Sequence, residues 1–409
     1  MTTPPTSAVP PPAAASTAAS AAASAAGSDA GDPVRVDAAA APTGGGLDLL
    51  YTDVEDALRA SVRDLLTARC TPDAVVAAYD GDRSLTATLW KALAVDLGLA
   101  GLLVPEERGG AGASAREASV VLEELGRFAA PVPFLTSAVV ATTALLASTD
   151  DDLLVRLAAG ERTAALVVPL SADAAGTRPV VRVQEDGTLH GRVTSVAGVV
   201  EADVLVVPVA TGDGVVLHAV EASAARVDHV VSLDMTRPLA DVTLDGVRGE
   251  LVVGDDAGSD AVRLAMETGA ALMASEQLGV AQWCLSATVG YLRERRQFGR
   301  VVGGFQAIKH RLADLYVVVE SASAAARHAA VTAAEQDPDR TVAASVAQAY
   351  CSGAAVRAAE ECVQLHGGIG MTWEHPAHLY LKRAKADQIA FGTPGRHRAL
   401  LGELVDLPA

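Results

Sequence analysis

Leu292-Arg293-Glu294-Arg295-Arg296-Gln297-Phe298-Gly299-Arg300, followed by Gly304-Phe305-Gln306-Ala307-Ile308-Lys309-His310-Arg311, interrupts a long helical pattern in the last third of a 409-residue chain. Helical periodicity runs over 259–296 before the break, and over 303–335, 340–365 and 376–390 after it. Helices of that length suffice for a four-helix bundle. The break itself is basic. Arg293, Arg295, Arg296, Arg300, Lys309 and Arg311 crowd one helix junction, although the chain has 32 basic against 50 acidic side chains and a formal net charge of −18. Such a run reads either as a solvated basic face or as an anion site where guanidinium forks grip phosphate or pyrophosphate.

Upstream of the bundle the period changes. Ala164–Pro169, Val180–Val183, Val204–Val209 and Val215–Val220 are short β-branched runs, separated by turn signals such as Asp186-Gly187 and Gly212-Asp213-Gly214. The gaps are too short for crossover helices, so 163–255 is expected to be a middle antiparallel β-domain. Further upstream, Asp53-Val54-Glu55-Asp56 places carboxylates at a helix start, and Leu58, Val62, Leu65 and Leu66 follow at helical spacing. Helices are also expected around Ser84–Leu97 and Ala115–Ala129, the latter stopped by Pro131 and Pro133, with another running through Leu146. The expected organisation is α+β: a tail over 1–46, an N-terminal helical domain over 47–162, the β-domain, and a C-terminal helical-bundle domain over 256–409. The tail is nearly all Ala, Pro, Ser, Thr and Gly, and it reads as disordered. Its first basic residue is Arg35, which does not fit a signal peptide.

Composition narrows the function. Half the residues are apolar, which excludes global disorder, and aromatics are only 3%, too few for base-stacking platforms. The acidic balance disfavours a nucleic acid partner. The cysteines Cys70, Cys284, Cys351 and Cys362 show no metal-ligand spacing, so no metal site is expected and a reducing cytoplasm is the default. No run reads as a membrane span.

Two glycine-bearing turns complete the candidate chemistry. Gln364-Leu365-His366-Gly367-Gly368-Ile369-Gly370-Met371 ends a helix and permits close backbone approach by a ligand, or is simply a helix stop. Ala390-Phe391-Gly392-Thr393-Pro394-Gly395 is, by itself, a loop.

Together these features resemble the acyl-CoA dehydrogenase family. Leu99-Ala100-Gly101-Leu102-Leu103-Val104-Pro105-Glu106-Glu107-Arg108-Gly109-Gly110-Ala111-Gly112 looks like that family's signature in the first helical domain. An R-x-x-F-G element matches at Arg295, Phe298 and Gly299, and a Q-x-x-G-G-x-G element at Gln364, Gly367, Gly368 and Gly370. The resemblance implies FAD as cofactor, extended across a subunit interface, and an acyl-CoA or acyl-carrier thioester as substrate. It implies that Arg295, Gln297 and Phe298 contact the adenosine pyrophosphate of a neighbour's FAD. Gln306 would lie nearby, with Gln364, Gly367 and Gly368 at the adenine end.

The same resemblance marks what is absent. The family removes an α-proton with a carboxylate while the β-hydride passes to the flavin. The commonest base is the second residue of a Y-E-G-T turn, here Ala390-Phe391-Gly392-Thr393, and a phenyl ring accepts no proton. A minority place the base ten residues before the glycine that matches Gly279, where this chain has Gly269. Glu267 lies about 200° around the helix from Gly269, and Glu276 about 10 Å further along its axis. No catalytic residue is therefore assigned. The flavin-cradling segment of the β-domain corresponds to Val167-Val168-Pro169-Leu170-Ser171-Ala172-Asp173-Ala174-Ala175-Gly176, which keeps little beyond a proline.

Some actinobacterial members are heterotetramers of two catalytic and two degenerate subunits. This Ala- and Arg-rich chain, with Lys91, Lys309, Lys382 and Lys385 as its lysines, resembles the degenerate kind. The leading expectation is a base-less partner subunit that completes the FAD site of a catalytic paralogue. The alternatives are an active acyl-CoA or acyl-carrier-protein dehydrogenase with a relocated base, and a flavin-free structural relative; the alternative to a hetero-oligomer is a homotetramer.

Overall fold

A computed structural model describes residues 47–407 apart from 150, 177 and 213, so the tail expectation for 1–46 lies outside the described residues. The first helices are α1 (Asp53–Arg69), α2 (Pro72–Tyr79), α3 (Ser84–Lys91) and α4 (Ala115–Arg127). Helix α1 starts where its carboxylates say it should. Thr52 caps the Glu55 amide at 3.2 Å, and the Glu55 carboxylate accepts from the Thr52 amide at 2.8 Å, a reciprocal capping box. Glu55 also reaches across the fold to Arg327, at 2.5 Å. Burial alone would raise its pKa, but Arg327, the Thr52 amide and Arg116 hold it down to about 2. The expected helix after α3 continues to Asp96 as a π-helical turn, and Phe134–Ala141 is likewise π-helical before α5 (Thr142–Leu145) and α6 (Asp152–Ala158).

Eight strands follow: β1 (Ala164–Leu166), β2 (Arg182–Val183), β3 (Leu189–Ala197), β4 (Val204–Ala210), β5 (Val215–Glu221), β6 (Arg226–Val230), β7 (Leu239–Val247) and β8 (Glu250–Val253). They form two four-stranded sheets, ordered β1-β4-β5-β8 and β2-β3-β7-β6. Strand β4 explains its own unbroken apolar run. Val204 and Val206 face the helical core, while Leu205, Val207 and Val209 face the second sheet, so both sides are buried. Strand pairing is antiparallel except that β1 pairs β4 in parallel. That pairing is open to it because the intervening chain crosses to the other sheet and back through β2 and β3. Strands β3, β6, β7 and β8 were not expected from sequence.

The C-terminal region begins with α7 (Asp255–Glu294), a 40-residue helix about 60 Å long. Every residue from Gly269 to Ala281 is buried, because α7 runs between α4 and the rest of the bundle. The α4–α7 crossing is close enough that a Cβ on Gly126 would strike the Glu276 carbonyl, and one on Gly279 the Glu123 carbonyl. After a hairpin of β9 (Arg296–Gln297) and β10 (Arg300–Val301) come α8 (Gln306–Ala334), α9 (Arg340–His366), α10 (Ala377–Asp387) and α11 (Pro394–Leu404). The fold is helical, then β, then helical bundle. Among the described residues, no helix is long and apolar enough to cross a membrane.

Candidate functional site

Two places carry the candidate chemistry. The first is the end of the bundle where α7 stops, α8 starts and α9 stops. The pair Arg311–Glu361, 2.7 Å apart, ties α8 to α9, and Tyr291 of α7 stacks on His366 with ring centroids 4.5 Å apart. The hairpin between α7 and α8 turns through Phe298 and Gly299, both at positive φ (52° and 73°), the geometry of a tight two-residue turn. Phe298 at its tip is 91% exposed. Arg300 lies over the Phe305 ring at 3.8 Å, a cation–π contact that stiffens the base of the hairpin.

All the residues expected to meet a cofactor gather at this end, and all are exposed: Arg295, Gln297, Phe298, Gln306, Gln364, Gly367 and Gly368. Among the described residues, Arg293, Arg295, Arg296 and Arg300 form no ion pair, and the Gln297 side-chain amide donates to the neighbouring Arg296 carbonyl, at 2.8 Å. Gly367 adopts positive φ (64°), and a Cβ there or on Gly368 would meet nothing within 4 Å. The chain itself therefore makes no packing demand for glycine at Gly368, which leaves that backbone open to something external. Beneath it, Cys362 Sγ lies 3.6 Å from His366 Nδ1. A hydrogen bond from Cys284, opposed by burial and reinforced by His366, draws the Cys362 thiol down to about 5.

The second place is the turn at Phe391, and it is closed. Phe391 is 4% exposed and sits at φ 54°. Its amide donates to the Leu170 carbonyl at 2.8 Å, and its own carbonyl accepts from His397 Nε2 at 3.0 Å. Its ring lies against Gly269: a Cβ built on Gly269 would come within 2.7 and 2.8 Å of Phe391 ring carbons and 3.0 Å of Val140. The two positions that could carry a base thus face each other, and the phenyl ring of one occupies the side-chain space of the other. Asp173 lies across the turn through a 3.0 Å contact with Arg396. Burial pushes its carboxyl up, but Arg396 and the Gly176 amide pull it below the ordinary range. Burial lowers His397, which remains neutral and bonded to the Phe391 carbonyl.

Neither carboxylate considered as a substitute base is free. Glu267 accepts from Arg263 at 3.1 Å and from Thr341 at 3.3 Å. Glu276 is 2% exposed and accepts from Arg237 at 2.6 Å and Arg383 at 2.5 Å, which lower its pKa against the burial that would raise it. Both are structural ion-pair partners. Of the two best-formed cavities among the described residues, one of about 230 Å³ is lined by Leu145, Leu154 and Val252, and one of about 10 Å³ by Pro131, Thr136 and Arg237. Neither touches Phe391 or Gly269, and ligand pockets usually exceed about 300 Å³.

Sequence reasoning missed the ion network of Asp234, Arg237, Glu276, Arg383 and Asp387, because its members lie on separate elements and no spacing rule joins them. The clasp of Leu170 and Asp173 over the Phe391 turn was missed for the same reason.

Comparison with known proteins now decides the family. Residues 52–161 match the model of the acyl-CoA dehydrogenase N-terminal domain, and 256–405 that of the acyl-CoA dehydrogenase C-terminal domain. The chain belongs to the acyl-CoA dehydrogenase family. It is 36% identical over 343 residues to acyl-CoA dehydrogenase IpdE2 of Mycolicibacterium smegmatis, covering 84% of this chain and 96% of that one. It is 39% identical over 329 residues to IpdE2 of Mycobacterium tuberculosis, covering 80% and 89%. Among solved structures, the ChsE4-ChsE5 complex from Mycobacterium tuberculosis matches with a TM-score of 0.78 at 28% identity, over 89% of this chain and 100% of that one. The Tcur3481-Tcur3483 steroid acyl-CoA dehydrogenase matches with a TM-score of 0.76 at 29% identity, over 87% and 98%. Members of this family are generally FAD-dependent oxidoreductases of lipid metabolism.

Proposed function

We propose that this chain is the base-less subunit of a heteromeric acyl-CoA dehydrogenase of the cytoplasm, and that it completes the FAD site of a catalytic paralogue. The observation that carries this reading is the Phe391–Gly269 contact. At the first base position stands a ring that accepts no proton; at the second stands a glycine whose side-chain space that ring fills. General-base assistance is worth about 10²–10⁴-fold, and α-proton removal needs it. The likeness to the ChsE4-ChsE5 complex and to the Tcur3481-Tcur3483 enzyme supports a heteromeric assembly.

The residues present fit one half of the cofactor and not the other. The exposed arginines of the hairpin suit a pyrophosphate, since their guanidinium groups are not spent on internal carboxylates. Arg295, Gln297, Phe298 and Gln306 would hold the nucleotide end of the partner's FAD, and Gln364, Gly367 and Gly368 its adenine. When bound in the partner, FAD supplies the hydride acceptor. The segment Leu170–Gly176, by contrast, is bonded down onto the Phe391 turn, through the Phe391 amide to the Leu170 carbonyl and through Arg396 to Asp173.

The test is to mix the purified chain, supplied with excess FAD, with acyl-CoA thioesters and an electron-accepting dye. The expected result is no turnover for the wild type or for Phe391→Glu, and turnover once a catalytic paralogue is added. Turnover by the isolated wild type would reinstate a relocated base. Turnover by isolated Phe391→Glu alone would show that this chain keeps a working flavin half-site of its own.

A further inference from the structure

At the joint between the β6–β7 loop, α7 and α10, three carboxylates and two guanidinium groups are shut away from water. Glu276, Asp234 and Asp387 are 2%, 1% and 0% exposed, Arg383 is 2%, and the Arg237 side chain is 10%. Arg237 bridges Glu276 and Asp387, each at 2.6 Å. Arg383 bridges Glu276 at 2.5 Å and Asp234 at 2.6 Å. Asp234 is further satisfied by the Thr236 amide and hydroxyl, at 3.0 and 2.5 Å. If every group were ionised, the cluster would carry one uncompensated negative charge in the protein interior, a strongly unfavourable arrangement.

Among the described residues two carboxylate oxygens of the cluster are buried without a hydrogen-bond partner: Asp234 Oδ2, which lies 2.6 Å from the Arg383 guanidinium, and Asp387 Oδ2, whose carboxylate meets Arg237 through its other oxygen. Gln277 donates to the Asp387 main-chain carbonyl at 3.2 Å, and its own Oε1 is buried without a partner as well. An unpaired carboxylate oxygen and an unpaired acceptor on a side chain bonded to the same residue are both costly, and a proton on Asp387 Oδ2 removes the excess charge and converts an acceptor into a donor.

We infer that this joint is a proton-binding site: Asp387 holds a proton on the acid side of neutrality and gives it up as the pH rises. Burial and then the Glu276 charge push its carboxyl up to about 7, against the pull of Arg237 and Arg383. The other groups around it do not compete. Gln348 of α9 is neutral and donates to the Asp387 and Ala390 carbonyls at 3.2 and 2.8 Å. Cys70, at the end of α1, is pushed by burial to about 12, and Tyr380 is pushed well above its ordinary range, so both stay neutral.

The consequence follows from linkage. The folded pKa lies above the unfolded one, so the native state binds more protons between about pH 4 and 7, and this group's contribution to stability declines as pH rises through that window. The joint loosens on the alkaline side. Because Gln348 ties the Asp387 carbonyl to that of Ala390, the turn carrying Phe391 is coupled to the same proton.

The experiment compares urea unfolding of the wild type and Asp387→Asn in the full chain from about pH 5 to 8. The amide imitates the protonated carboxyl. Relative to the variant, the wild-type unfolding constant should rise by up to tenfold per pH unit between about pH 5 and 7, then level off. Parallel curves for the two proteins would overturn the inference. Should Asp387→Asn fail to fold, infrared titration of the wild type decides. A carboxylic-acid band that disappears with a midpoint near 7 supports the site, and no such band at pH about 5 to 7 refutes it.

Discussion

The Phe391 turn and the arginine hairpin treat their polar and apolar groups in opposite ways. At the turn everything is spent within the chain. Leu170 and His397 take up the backbone groups of Phe391, Arg396 takes Asp173, and the phenyl ring fills the space above Gly269. At the hairpin almost nothing is spent. Phe298 points into solvent, and Arg293, Arg295 and Arg296 find no carboxylate partner among the described residues, in a chain that carries an excess of carboxylates. A closed site stabilises its own chain. An open one sacrifices local stability and is best explained by what it binds.

The largest break in this contrast is Gly269→Glu. It drives a charged side chain into the Phe391 ring and Val140, adding overpacking to an unpaired buried charge, and should cost about 3–5 kcal/mol or prevent folding. Combining it with Phe391→Ala should recover part of that loss, a coupling measurable by a double-mutant cycle in urea. Additive losses would show that the two positions do not share space. Phe391→Ala alone leaves a cavity and should cost about 3–4 kcal/mol, read as a drop in the urea midpoint with an unchanged slope.

Asp173→Ala should cost less, about 1 kcal/mol: the Arg396 partner is 41% exposed and solvent screens that pair, so the loss falls mainly on the bonds that Asp173 accepts from the Ala175 and Gly176 amides. The smallest stability effect is expected at the hairpin. Arg295→Ala with Arg296→Ala should shift stability by less than about 0.5 kcal/mol, since neither side chain has an internal partner to lose. The same pair should weaken flavin retention by a co-expressed partner about 10–100-fold, as loss of charge-assisted bonds does. A large fall in stability without loss of flavin would turn the hairpin into an ordinary structural element.

Much of the architecture was legible in the sequence because its signals are local. The long periodic run of α7, the carboxylates Asp53, Glu55 and Asp56 at the start of α1 and the β-branched run of β5 each announce themselves within a few residues. Strand β3 did not, because a bulge between Val193 and Val196 breaks its alternation; β7 does alternate, with Ala240, Val242 and Leu244 buried between Asp241, Thr243 and Asp245, so its signal was present and overlooked. The hairpin was visible as a charge run. That its arginines lack internal partners could not be read without knowing where the carboxylates lie. The Phe391–Gly269 contact was half legible: the sequence places a phenylalanine and a glycine at the two expected base positions, but only the fold shows that the ring of one fills the side-chain space of the other. The buried joint around Asp387 was not legible at all, since its five charged groups come from residues 234 to 387 and meet only after the sheets dock on the bundle.

The central claim is that this chain keeps the half-site that serves a neighbour and has closed its own. The most direct measurement is flavin stoichiometry after co-expression with a catalytic paralogue, set beside the chain purified alone. The account predicts one FAD per pair of unlike chains, none retained by the chain alone, and loss of FAD from the pair when Arg295 and Arg296 are both replaced by alanine. One FAD per copy of this chain, purified by itself and reduced by an acyl-CoA, would contradict it.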